Sequence, residues 1–214
     1  MIKAVVFDLD GTLLNTLEDL CNATNYALVK QGYKPISVDE TRKNIGHGIK
    51  NLLIKSSNDS CNILSMLSDF KIYYTKHCND FTKPYDGILE LLNRLKSDGF
   101  KLGCVSNKAK YALDILVENH FKGYFDCVLG DGEGYKRKPD SEIIVEASKR
   151  LGVKLDEFLY VGDSDVDVLT VLNSKCYGIF VSYGYRDINV LKDAGATLIV
   201  NSPLEIYELV NKEI

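Results

Sequence analysis

The sequence predicts an α/β protein, a doubly wound and mostly parallel sheet with a helical domain inserted into it. Three observations predict this. Short β-rich runs alternate with helical patterns, one interval between two such runs is far too long for a single crossover, and the apolar runs tend to end in carboxylates, hydroxyls or glycine.

The β-rich runs cover 2–8, 100–107, 127–131, 157–163, 176–182 and 197–200. Between them the stretch "DGILELLNRLKSDGF" sets Ile88, Leu91, Leu92 and Leu95 on one helical face and stops at Gly99. Further helices are expected over 109–119, 141–151 and 203–211. About ninety residues separate the first two runs, whereas a parallel crossover needs little more than a dozen. Residues 15–79 read as helical, with breaks at "QGYKPIS", "IGHGIK" and "SSNDSC". The expected layout is therefore a Rossmann-like core of 1–14 and 82–214 and a helical cap of 15–81, joined by linkers near 14–17 and 81–86.

The 214 residues, 45% hydrophobic and 26% charged, are enough to bury a sizeable core. A net charge of −4 gives no global attraction to nucleic acid or to an anionic membrane, so an anionic ligand has to be held locally. No apolar run is long enough to span a bilayer, and Asp8 and Asp10 interrupt the first one, which argues against a signal peptide and for a cytoplasmic location. The six cysteines show no metal-ligand spacing and read as reduced thiols.

Four short elements carry chemistry. In "VVFDLDGTLLNT" the alternation of a strand puts Asp8 and Asp10 on one side at its carboxyl end, where open α/β sheets bind ligands. Two such carboxylates repel unless a proton or a cation intervenes, which suits a metal together with acid–base work. Acidic turn residues after a strand are the plainer alternative. In "LGCVSNK" the groups of Ser106 and Asn107, with Lys108 next, can meet phosphate oxygens or simply cap a helix. In "YKRKPDSE" positive charge precedes Pro139, a residue suited to a helix's first turn, and a solvated charge run is the alternative. In "LYVGDSDVDV" an EF-hand is excluded because Val168 and Ser174 stand where glycine and glutamate are needed. There Asp163 is the better metal-ligand candidate, with Asp167 beside it by i,i+4 spacing.

Taken together, these elements resemble the haloacid dehalogenase superfamily: "FDLDGT", "VSN", Lys138 of "RKP" and "VGDSDVD" match its four motifs in order. The stretches "IGHGIKNLL" and "YYTKHCNDFTKPYDGILELLNRLKSDGFKLGCVSNK" resemble its phosphoglycolate phosphatase-like branch. The resemblance implies a nucleophile at Asp8 that forms an aspartyl-phosphate and an acid–base at Asp10. It also implies a magnesium ion held by the side chains of Asp8 and Asp163 and the main-chain carbonyl of Asp10. Ser106, Asn107 and Lys138 would serve the phosphoryl group, and Asp167 would orient the site. In the cap, Gly46, His47, Gly48 and Lys50 are candidates for substrate choice, or a plain connection between helices. The partner implied is a small phosphorylated metabolite, with phosphoglycolate first; oligomeric state is not legible.

The chain departs from its relatives at Asn15 and Thr16, where Asp-Ser is frequent, and at Ser106, where Thr is common. A pyrophosphatase, another small-metabolite phosphatase or a β-phosphoglucomutase would use the same chemistry. A phosphorylation-controlled binding protein also uses a strand-end aspartate, but an Asp10 suited to proton transfer weighs against it, and against a dehalogenase.

Overall fold

The computed structural model describes residues 1–46 and 48–212. In chain order the elements are β1 (Ala4–Phe7), β2 (Leu14–Asn15), α1 (Leu17–Lys30), α2 (Val38–Asn44), α3 (Ile49–Ser57), α4 (Ile63–His77), β3 (Lys83–Pro84), α5 (Ile88–Ser97), β4 (Lys101–Ala109), α6 (Lys110–Phe121), β5 (Cys127–Asp131) and α7 (Glu142–Leu151). A 3₁₀ turn at Leu155–Glu157 follows, then β6 (Phe158–Gly162), α8 (Asp165–Ser174), β7 (Tyr177–Val181), α9 (Ile188–Asp193), β8 (Ile199–Val200) and α10 (Pro203–Val210). The chain divides into two compact units, Met1–Leu14 with Pro84–Ile214, and Asn15–Lys83.

The first unit holds a parallel six-stranded sheet in the order β5-β4-β1-β6-β7-β8. From β1 the chain fills one side with β4 and β5, then returns to fill the other with β6, β7 and β8, so the winding direction reverses at β1. The carboxyl end of such a switch strand opens a crevice between diverging connections, and ligands of doubly wound sheets bind there. All four residues of β1, Ala-Val-Val-Phe, are buried, because helices cover both faces of the sheet. On one face Ala4, Val6, Val105, Leu129 and Tyr160 pack against Ile143, Ile144 and Ala147 of α7. The apolar stripe of α5, Ile88, Leu91, Leu92 and Leu95, is wholly buried, and each such side chain contributes about 1.5–3 kcal/mol.

The sequence expectation for β5 matches to the residue. β1 is shorter than 2–8, although Lys3 and Asp8 extend its hydrogen bonding at either end through the Glu157 and Val161 carbonyls. Helix α9 was not expected, since six residues are too few to display a period. Pro139 lies ahead of α7 rather than in its first turn.

The second unit is helical, with α1 and α4 its main packed pair. A Ser37–Glu40 capping box starts α2. Asp19, 1% exposed, ties the unit's two ends together: its carboxylate accepts from the Phe81 and Thr82 N–H groups and from the Thr82 hydroxyl. All six cysteines are free thiols. Among the described residues, no helix is long and apolar enough to cross a membrane.

Candidate active site

β1 stops at Phe7 and the chain turns at once, so Asp8 and Asp10 lie just beyond the strand rather than on it. The Leu13 and Leu14 N–H groups both return to the Leu9 carbonyl, each at 3.0 Å, closing a tight loop at the sheet's carboxyl edge. Gly11 has φ +86°, and a Cβ there would stand 2.2 Å from Asp163 Oδ2. Backbone and carboxylate together exclude a side chain at that position.

Asp8 is 8% exposed, and its Oδ1 accepts from the Leu9 N–H at 2.7 Å and pairs with Lys138 Nζ at 3.1 Å. Both contacts fall on one oxygen, which fixes the rotation of the carboxylate. Burial lifts the Asp8 carboxyl to about 6; Lys138 pulls it down, the Asp167 and Asp10 charges push it up, and a hydrogen bond from the Ser106 hydroxyl lowers it.

Lys138 separates from the charge run that contains it. Lys136 and Arg137 are exposed and pair with Glu142 and Asp131, whereas the Lys138 side chain is 2% exposed. Its ammonium meets Asp8, Asp167 Oδ1 at 2.7 Å and the Tyr160 hydroxyl at 2.7 Å, one acceptor for each of its three N–H bonds. Burial opposes its charge, but Asp167 and Asp8 outweigh burial and hold its pKa above the usual lysine value.

Asp167 is saturated. Oδ1 takes Lys138 and the Tyr160 hydroxyl, while Oδ2 takes the Asp163 and Ser164 N–H groups and the Ser164 hydroxyl. Burial would raise its carboxyl, yet the Lys138 charge and these donors hold it below the usual range. Asp163 is held differently: the Tyr185 N–H donates to Oδ2 at 2.7 Å and the Thr12 hydroxyl reaches Oδ1 at 3.4 Å. Burial, then the charges of Asp167 and Asp8, push its carboxyl well above the usual range.

On β4 the ladder to β5 is irregular between Val105 and Ala109, the stretch that carries Ser106, Asn107 and Lys108. Such an irregularity re-aims side chains at a sheet's rim. Helix α6 starts only at Lys110 with no side-chain cap, so the helix-cap alternative for Ser106 and Asn107 fails. The Asn107 carboxamide is turned to Lys138, donating to its carbonyl at 2.9 Å and accepting its N–H at 2.8 Å, a grip on the backbone of the lysine. Lys108 Nζ pairs with both oxygens of Asp10, at 2.9 and 3.1 Å. Lys108 and Tyr160 were missed as site residues. A lysine two positions after Ser106 was the only sequence signal for the first, and Tyr160 reads as an ordinary core aromatic.

Acceptor oxygens of Asp8, Asp163 and Asp167 lie within 4.8 Å of one another. The donor set is all oxygen and suits a hard divalent cation. The occupied oxygens of Asp167 leave Asp8 and Asp163 as the side chains able to ligate it, and burial first, then the neighbouring carboxylates, raises both carboxyls, a cost that a bound cation would offset. The residues present therefore fit magnesium.

In the helical unit, Gly46 and Gly48 lie between α2 and α3 with φ +121° and +83°, Gly48 caps α3, and Lys50 is exposed in its first turn. His47 lies outside the described residues.

Residues 5–181 match the family model of the haloacid dehalogenase-like hydrolases. The chain belongs to that family. Among curated proteins this hydrolase is similar to the phosphoglycolate phosphatase of Nitrosospira multiformis, 32% identical over 99% of this chain and 96% of the relative. It is equally identical to that of Aquifex aeolicus, over 88% of each chain. A solved structure from Lactobacillus delbrueckii subsp. bulgaricus superposes on the hydrolase with a TM-score of 0.92 at 35% identity, covering 97% of this chain and 98% of that one. A predicted phosphatase from Clostridium acetobutylicum gives 0.88 at 29% identity, over 100% of both.

Proposed function

We propose that this hydrolase is a magnesium-dependent cytoplasmic phosphatase of small phosphomonoesters, with phosphoglycolate the first candidate substrate, working through an aspartyl-phosphate on Asp8. The observation that carries the reading is the convergence on one sheet edge of a rotationally fixed Asp8, an Asp10 two residues on, the Ser106 hydroxyl and the Lys138 ammonium. The relatives' names supply the substrate candidate.

An Asp8 carboxylate oxygen attacks phosphorus, the bond to the ester oxygen breaks, and Asp10 gives its proton to the departing alcohol. Water then attacks the aspartyl-phosphate, Asp10 takes the proton from that water, and the Asp8–phosphorus bond breaks to release phosphate. Magnesium, held by Asp8, Asp163 and the Asp10 carbonyl, would screen the negative charge of nucleophile and phosphoryl group. Ser106 steadies the phosphoryl oxygens. Lys138 acts from a fixed place, gripped by Asn107, Tyr160 and Asp167, and offsets charge on Asp8 and on the group it receives. The helical unit Asn15–Lys83 serves as the cap that selects the substrate, with Gly46, His47, Gly48 and Lys50 as its candidate contacts.

The test is phosphate release from phosphoglycolate, pyrophosphate, nucleotides and sugar phosphates, with and without magnesium, with Asp8→Asn as the control. Magnesium-dependent release that disappears in the variant is expected, fastest with phosphoglycolate. Undiminished activity in Asp8→Asn would remove the nucleophile, and conversion of one glucose phosphate isomer into another would make the protein a mutase.

A further inference from the structure

Resting on the phosphatase reading, we infer that Lys108 recognises the charge of the leaving group, so that the site takes phosphomonoesters whose departing oxygen is borne by an anionic fragment. The fragment carries a carboxylate next to the ester oxygen, or is itself a second phosphoryl group, in which case the bond broken is a phosphoanhydride.

Two pairs of residues face each other at the sheet's carboxyl edge. Past β1 stand Asp8 and Asp10, two apart; on β4 stand Ser106 and Lys108, also two apart. Ser106 meets Asp8 and Lys108 meets Asp10. The first pairing surrounds the phosphoryl group in transit. The second surrounds the oxygen that leaves, because Asp10 must come within hydrogen-bond reach of that oxygen to protonate it. Both Asp10 oxygens lie at 2.9 and 3.1 Å from Lys108 Nζ, so a group one or two bonds beyond the leaving oxygen falls within about 6 Å of the ammonium.

A purely structural partner for Asp10 does not require a cation. The Lys108 side chain is 5% exposed, and taking an ammonium out of water costs several kcal/mol, while a hydroxyl or carboxamide would satisfy the same carboxylate at lower desolvation cost. The neighbourhood explains the charge. Asp8, Asp10, Asp163 and Asp167 stand against Lys108 and Lys138, a formal surplus of two negative charges that one divalent cation cancels. Once Asp10 carries the proton it must donate, three carboxylates stand against two ammoniums and the divalent cation, and Lys108 presents the remaining positive charge beside Asp10, where an anionic leaving fragment would come. There it acts from within a partly desolvated site, where an opposite charge is worth more than in water.

The experiment compares phosphoglycolate and pyrophosphate with 2-hydroxyethyl phosphate, the neutral counterpart of phosphoglycolate, on the magnesium-loaded full chain. Lys108→Gln is expected to lower kcat/KM for phosphoglycolate at least about tenfold more than for 2-hydroxyethyl phosphate, the size of one lost charge-assisted hydrogen bond. Lys108→Arg should keep most of the preference. A matching selective loss on pyrophosphate would assign the second phosphoryl group as well as the carboxylate, and a loss confined to phosphoglycolate the carboxylate alone. Equal losses on charged and neutral esters would overturn the inference and leave Lys108 a positioning residue for Asp10. Should Lys108→Gln fail to fold, the wild-type preference decides: faster turnover of the neutral ester overturns the inference without any variant. A wild type that releases phosphate from sugar phosphates but from none of the three overturns the inference and keeps the phosphatase reading, whereas release from no member of the wider panel overturns that reading itself.

Discussion

Asp8→Asn should make the metal-free protein more stable while removing its proposed nucleophile. The Asp8 carboxyl stands at about 6 instead of 3.8, roughly two units at about 1.4 kcal/mol each, so ionising it inside the fold costs on the order of 3 kcal/mol. A folded-state pKa above the unfolded value means that the fold favours the protonated group. That stability is fully present below about pH 4 and is lost as the pH rises through about 6. Asparagine has the shape of the protonated acid and never ionises. In EDTA at pH 7.5 the variant is therefore expected to melt about 6–12 °C above wild type, at about 2–4 °C per kcal/mol for a chain of this size. The gap should shrink toward pH 5 and narrow again when magnesium is added at pH 7.5, because the ion stabilises the wild type more. Thermal melts followed by circular dichroism across that pH range, with and without magnesium, make the test. A variant that melts below wild type in EDTA at pH 7.5, or a gap independent of pH, would refute the claim that burial makes an ionised Asp8 costly to the fold.

Three further outcomes follow from particular contacts. Tyr160→Phe removes a hydroxyl that accepts from Lys138 and whose one hydrogen is shared between Asp167 and the Val105 carbonyl; a fall of about 1–3 kcal/mol in stability and a drop in kcat larger than any change in KM are expected from melts and steady-state kinetics. Gly184→Ala sets a Cβ 2.3 Å from the Asp163 Cβ and 2.6 Å from the Gly11 carbonyl, so Asp163 must shift, and calorimetric titration should show magnesium affinity down by about tenfold or more. Asp19→Ala leaves the Phe81 and Thr82 N–H groups and the Thr82 hydroxyl without their acceptor, and urea unfolding should report a loss of about 2–4 kcal/mol.

The fold was legible because its signals are local. Runs such as Cys127–Asp131, and the stripe of Ile88, Leu91, Leu92 and Leu95, state their own period, and the long gap after β1 announces an insertion. Asp8 and Asp163 were legible as candidates because each follows an apolar run at the edge where such sheets bind ligands, whereas Lys138 sits inside a charge run and was singled out only by the resemblance. What stayed hidden depends on partners far away in the chain. Tyr160 and Lys138 are 22 residues apart, Tyr185 and Asp163 also 22, and Lys108 and Asp10 98, and no period links them. The Asn107 contact was hidden for the same reason: its carboxamide is complementary to a peptide group 31 residues on, which a neighbour-by-neighbour reading cannot supply.

The arrangement also shows why the two lysines differ in their surroundings. Lys138 is fixed by three acceptors, and its backbone is fixed by Asn107, so its ammonium is a stationary charge suited to a step whose reacting atoms do not change place. Lys108 instead pairs with Asp10, which in the proposed mechanism gives up a proton and takes one back within each turnover. When Asp10 is protonated, the pair weakens, and an anion arriving at the leaving-group side becomes the better partner for the ammonium. If the proposed mechanism holds, Lys108 ties substrate charge to the proton on Asp10, so a neutral ester should lose on the chemical step as well as on binding. Comparing kcat for phosphoglycolate and 2-hydroxyethyl phosphate at saturation separates the two. Equal kcat with unequal KM would confine Lys108 to binding, whereas a lower kcat for the neutral ester, equalised by Lys108→Gln, would place it in the transfer itself.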